Sequence, residues 1–148
     1  MSIFVNSVSH GIYNLVNSNS IVTTSGFCVE LDEVFNTDPN KTPWVGVYFD
    51  NVTIIPRVLG ITNINNGWLA RYTYRIFVQD VSMEDGRIAK DLVNKGLTYV
   101  FDALNGDHTL LGSVDTITEC SIAPFERNLD EEQWMFSDEI ILVAQVDA

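Results

Sequence analysis

Apolar and polar residues alternate most regularly between Trp68 and Gln79. Trp68, Ala70, Tyr72, Tyr74, Ile76 and Val78 fall on one face, and Leu69, Arg71, Thr73, Arg75, Phe77 and Gln79 on the other. A period of two residues is the signature of a half-buried strand. The period then changes. Ile88, Leu92, Val93, Leu97, Val100, Phe101 and Leu104 recur at steps of three and four residues, which makes one apolar stripe on a helix. Ser82 is placed to cap that helix, with Glu84 and Asp85 where the helix dipole favours negative charge. Asn105-Gly106 is the expected stop. The strand cannot hide its apolar face alone, and the helix is its natural cover.

The same reading extends to the rest of the chain. Phe4, Val8, Ile12 and Val16 step by four and predict a first helix from about Ser2 to Asn17, ended by the turn residues Asn17 to Ser20. Phe27 to Leu31 reads as a short strand. The acidic segment from Asp32 to Pro43 carries Pro39 and Pro43 and reads as an exposed loop. Trp44 to Ile55 is a strand with Val45, Val47 and Phe49 on one face and Tyr48, Val52 and Ile54 on the other, as for a central strand or one covered by a helix on one side and a partner on the other. A hairpin at Asn66-Gly67 leads into the long alternating strand.

Beyond the second helix, Ser113 to Ala123 alternates loosely as a strand that Pro124-Phe125 breaks. Glu126 to Gln133 is an acidic loop, and Phe136 to Val146 is the last strand, with Asp138 near its exposed end. Strands that can pair as antiparallel neighbours, with helices packed on one face, define an α+β fold: a mostly antiparallel sheet of about four to six strands with two helices packed on it. The 148 residues fit a single domain, 1–148.

Composition narrows the function. An apolar fraction of 46% suits a globular chain rather than a disordered one. No apolar run is long enough to span a membrane, the first residues lack the pattern of a signal peptide, and a cytosolic product is expected. Cys28 and Cys120 have no metal-like spacing and read as buried free thiols. His10 and His108 form neither a cluster nor a triad. The net charge of −12, from 20 acidic and 8 basic residues, argues against a surface that grips a nucleic-acid backbone. It suits solubility, or a surface past which DNA slides without sticking.

No catalytic, metal or cofactor constellation stands out. There is no phosphate-binding glycine loop followed by Lys-Ser or Lys-Thr, no nucleophile elbow, and no metal-ligand spacing of His, Cys or Asp. The run Asp130-Glu131-Glu132 reads as a solvated surface. Three tryptophans, Trp44, Trp68 and Trp134, stand at strand ends or beside the acidic loop, where aromatic residues serve protein contacts or cover the ends of a sheet. Arg71 and Arg75 share a strand face, free to pair with a neighbouring subunit or across the sheet.

The order of elements, with Thr42-Pro-Trp-Val-Gly-Val-Tyr-Phe49, then Tyr72 to Gln79 feeding the helix with Ala89 to Val93 and Asp102 to Leu104, and the closing stretch Phe125 to Val146, resembles the tail-terminator (tail-completion, or head-tail joining) proteins of long-tailed bacteriophages. The resemblance covers roughly residues 40 to 148, and the first 40 by element order alone. It implies a virion protein of the tail or neck, assembled in the host cytoplasm, without enzymatic activity or cofactor. It would form a homo-oligomeric ring, usually a hexamer, that caps the head-proximal end of the tail tube and stops tube polymerisation. Its partners would be the tail-tube protein and the head completion or connector protein, with DNA passing through the lumen unbound.

On exposure and chemistry, the candidate contact residues are Asp38, Trp44, Arg71, Arg75, Glu131 and Trp134. Two alternatives stand beside this reading: another neck, connector or tail-tube-like subunit, or a small-molecule-binding domain around Trp68, Tyr72 and Tyr74.

Overall fold

In the computed structural model, residues 5–31, 43–56, 68–82, 86–129 and 134–147 are described. In chain order they form α1 (Val5–Asn17), α2 (Ser20–Thr24), β1 (Cys28–Leu31), β2 (Trp44–Pro56), β3 (Trp68–Ser82), α3 (Gly86–Asn105), β4 (Thr116–Leu129) and β5 (Trp134–Asp147). The strands make one five-stranded sheet in the order β1-β2-β3-β5-β4. Every neighbouring pair is antiparallel except β1 with β2, which run parallel. The α+β class, the mostly antiparallel sheet and the pairing of the long strand with its helix all stand.

The long alternating strand is central. Tyr72, Tyr74, Ile76 and Val78 of β3 lie between Val45, Val47 and Phe49 of β2 and Ile140, Leu142 and Ala144 of β5, on one face of the sheet. This face meets Val8, Ile12 and Val16 of α1 and Val93, Leu97, Val100 and Leu104 of α3 in one core. Within it Ser9 Oγ and Tyr74 Oη are 2.7 Å apart, so the buried phenol and hydroxyl satisfy each other.

Helix α3 approaches the sheet closely at Gly96, where an added Cβ would stand 2.6 Å from the Phe27 ring and 2.7 Å from Val78 Cγ1. At Gly11 the absence of a side chain lets the Leu110 carbonyl come against α1. Gly11, a poor helix former, is therefore kept in α1 by packing.

Several expected boundaries shift. Ser82 is the last residue of β3 rather than a helix cap, and α3 begins at Gly86. The helix ends at Asn105 as expected, yet the left-handed residues come later, at Leu110, Leu111 and Gly112. The cluster after α1 is more than a turn, since Asn19 caps α2 by accepting from the amides of Ile21 and Val22. The stripe of α3 is rotated: Ala89, Val93, Leu97, Val100 and Leu104 are buried, whereas Ile88 and Phe101 are exposed.

In β2 apolar residues occupy both faces, with Trp44 and Tyr48 opposite Val45, Val47 and Phe49, but Val52 and Ile54 are not on the face of Tyr48. A register shift between Phe49 and Asn51 returns Val52 and Ile54 to the face of Val45, Val47 and Phe49. Pro124 does not break β4, which continues to Leu129 across a register shift between Pro124 and Glu126. An edge strand with a bulge is where proline is tolerated, because its missing amide costs no ladder bond there. Residues 126–129 of the expected acidic loop thus belong to β4, and its remainder, 130–133, lies outside the described residues, as do the expected hairpin at Asn66-Gly67 and the segment 32–42.

Candidate functional site

The face of the sheet opposite the helices carries the predicted arginines. Arg71 is exposed on β3. Arg75, two rungs further in, donates from Nε to Glu139 Oε2 on β5 at 2.7 Å, and its guanidinium lies 5.2 Å from the centre of the Phe77 ring. The hydrogen bond to Glu139 raises the Arg75 pKa above its ordinary value. Arg75 therefore makes the cross-strand pair within its own sheet.

At one end of this face the sheet is buried on both sides. Trp44, Gln79 and Ser137 are in register across β2, β3 and β5, followed one rung inward by Gly46, Phe77 and Glu139, and all are buried. The pattern of a half-exposed strand does not hold here, and Trp44 is fully buried rather than displayed on the surface. Among the described residues, Trp44 Nε1 and Ser137 Oγ have no hydrogen-bond partner. Asp38 and Glu131 lie outside the described residues, and Trp134 begins β5 opposite Ser82 and Leu129. Of the predicted residues that are described, Arg71 and Arg75 share one face of β3 and Trp44 is buried.

The structure does assemble a surface that the pattern reading missed. Beyond the last turns of α3, the helices leave the edge strand β4 partly uncovered. Phe101, Leu104, Ile117, Cys120 and Leu142 line a shallow groove of about 190 Å³, with Asn105, His108, Thr118 and Glu119 at its polar margin. His108 Nε2 is 2.9 Å from Asn105 Oδ1. Ile122 continues the same face of β4, in register with Ile140. Burial pushes the Cys120 thiol above its ordinary pKa, so it stays protonated and packs as a small apolar group. Cys28 and Cys120 lie on opposite edge strands, form no disulfide, and are half-buried rather than buried. No local pattern marks this groove: adjacent Ala103 and Leu104 are both buried on α3, whereas Val100 is buried and its neighbour Phe101 is exposed.

Among the described residues no group of three or more His, Cys, Asp or Glu is placed to hold a metal ion. No described helix is long and apolar enough to cross a membrane.

Taken together, the structure defines an α+β chain built on one sheet, with helices on one face and an apolar groove at one edge. A solved structure with the same fold is a chain of the virion of a native gene transfer agent particle. The two share 12% sequence identity at a TM-score of 0.55, and the likeness covers 99% of this chain and 100% of that one. No protein-family model matches the chain. No curated protein sequence matches it.

Proposed function

We propose that this protein is a structural subunit of a phage-like virion, and within that class a tail terminator. In this reading it acts without catalysis, as a ring, usually of six copies, on the head-proximal end of the tail tube. There it ends tube growth and offers a surface to the head connector, with DNA passing through the lumen. The observation that supports the reading is the likeness of fold to a virion chain over 99% of this chain and 100% of that one. The resemblance of Thr42 to Phe49 and Tyr72 to Gln79 to tail-terminator proteins points the same way. The charge of −12 is compatible with a lumen that repels rather than holds DNA.

The test is the mass of the purified protein by light scattering, alone and mixed with a candidate tail-tube protein, followed by electron microscopy of growing tubes. A ring-sized species that shortens or caps tubes is expected. A monomer that ignores tube protein at every concentration would refute the reading.

A further inference from the structure

Charge is distributed unevenly along this chain. No Asp, Glu, Lys or Arg occurs before Glu30, so all 20 acidic residues lie from there onward. The outer sides of α1 and α2 consequently carry no Asp, Glu, Lys or Arg; they are built from Asn, Ser, Thr and His10, with one large apolar side chain, Ile21, 52% exposed. The groove beside β4 is the other charge-poor surface. Glu119 is the one carboxylate in its lining, while Phe101 at 41% and Ile122 at 56% exposure present apolar surface to solvent. The two surfaces belong to opposite edges of the sheet, since α2 leads directly into edge strand β1 and the groove lies on edge strand β4.

Copies of a chain with net charge −12 repel one another, and the repulsion is least where charge is missing. The cores of protein interfaces are likewise depleted of charge and rich in apolar and aromatic groups. We propose that the Ile21 side of α2 from one copy seats in the Phe101–Cys120–Ile122 groove of the next copy. This inference rests on the ring reading above and assigns the surfaces that would build it. Each copy carries both halves of the contact, and a strongly basic partner would find one carboxylate, Glu119, in the groove and none on α2. Because the halves differ, the contact is heterologous: it repeats head to tail and closes into a ring when the rotation per copy allows.

The test uses Ile21→Asp and Ile122→Asp. Both side chains are more than half exposed, so the fold is retained, which circular dichroism and the unfolding midpoint check. Sedimentation would be measured for the wild type, each variant and their equimolar mixture. Each variant alone is expected to lose assembly, with association weakened by about tenfold or more, since a buried unpaired carboxylate costs well over the 1.4 kcal/mol of one decade. The mixture is expected to form heterodimers and nothing larger, because one intact α2 meets one intact groove. Variants that assemble like the wild type would overturn these surfaces and leave the ring reading standing. A mixture without heterodimers, or discrete homodimers of one variant, would overturn the head-to-tail contact. A wild-type chain that engages only tube protein, with loss on Ile122→Asp, would assign the groove to a foreign partner and overturn a second copy as its occupant. A wild-type monomer indifferent to tube protein would overturn both readings.

Discussion

Arg75 Nε and Glu139 Oε2 are 2.7 Å apart, but the two residues do not face each other across the strands: Arg75 pairs with Ile141, and Glu139 with Phe77. The guanidinium therefore reaches diagonally by one rung over the Phe77 ring, which fixes its plane while the carboxylate takes its charge. The two ends of the pair are solvated unequally, with the arginine side chain 31% exposed and the glutamate 8%.

That inequality predicts an asymmetric response to mutation. Arg75→Met strands a nearly buried carboxylate and is expected to cost about 2 kcal/mol, discounted from the 3–5 kcal/mol of fully buried pairs because water reaches the arginine side. Glu139→Gln keeps an acceptor for a guanidinium that can hydrate itself, and is expected to cost about 1 kcal/mol or less. Urea unfolding of the two variants checks this. Equal costs, or a larger cost for Glu139→Gln, would contradict it.

Asp107 governs the turn after α3. Its Oδ1 accepts from the Thr109 amide at 2.9 Å and hydroxyl at 2.6 Å, and its Oδ2 accepts from the Leu111 amide at 3.2 Å. The hydrogen bonds from the Thr109 hydroxyl and amide hold its carboxyl below the ordinary value of 3.8. A depressed folded pKa stabilises the fold above the unfolded value, and the contribution is lost as pH falls through the folded one. Stability measured from pH 5 downward is thus expected to decline below 3.8 in part through Asp107. Asp107→Asn should make that decline shallower, read from urea midpoints across the series. An unchanged slope would remove Asp107 from the account.

The same turn holds two leucines in left-handed backbone, Leu110 at φ 49° and Leu111 at φ 59°. Backbone strain is similar in both, of order 1 kcal/mol, so their side chains decide the outcome of substitution. Leu110 is fully buried in the core, whereas Leu111 is exposed. Leu110→Gly should destabilise by about 2–4 kcal/mol through lost burial, and Leu111→Gly should be neutral or stabilising by up to about 1 kcal/mol. Thermal unfolding of the pair separates the two effects. A loss on Leu111→Gly comparable to that at Leu110 would show that the exposed side chain carries packing of its own.

Much of this fold was legible because β3 and β5 run unbroken. With no bulge between Leu69 and Ser82, alternation reports the true faces, and the core residues Tyr72 to Val78 and Ile140 to Val146 follow from parity alone. Where the register slips, parity inverts. The shift after Phe49 put Val52 and Ile54 on the face of Val45 rather than that of Tyr48, and Pro124 made a continuous edge strand look broken. Interface residues were less legible, for a different reason. Exposure was read from composition, but Trp44 is buried by its place opposite Gln79, and Arg75 is engaged by a glutamate 64 positions along the chain. The apolar groove beside β4 depends on where the cover of α3 stops, which no local pattern encodes.

Gly96 sets how closely α3 lies on β3, and it separates packing from propensity. Alanine is favoured over glycine inside a helix by about 1 kcal/mol, so propensity alone predicts that Gly96→Ala stabilises. The new Cβ would stand 2.6 Å from Phe27 Cζ and 2.7 Å from both Phe27 Cε1 and Val78 Cγ1. Such distances require the ring or the helix to move, and overpacking of this kind costs about 1–3 kcal/mol. Clash is expected to prevail, with a net loss of about 1 kcal/mol and a lower Tm. Phe27→Leu should lose stability alone by vacating part of the core, yet combined with Gly96→Ala it should lose less than the sum, because the smaller side chain gives the methyl room. Additive losses in that double-mutant cycle would mean that the helix shifts as a body and that Phe27 is not what holds it at this distance.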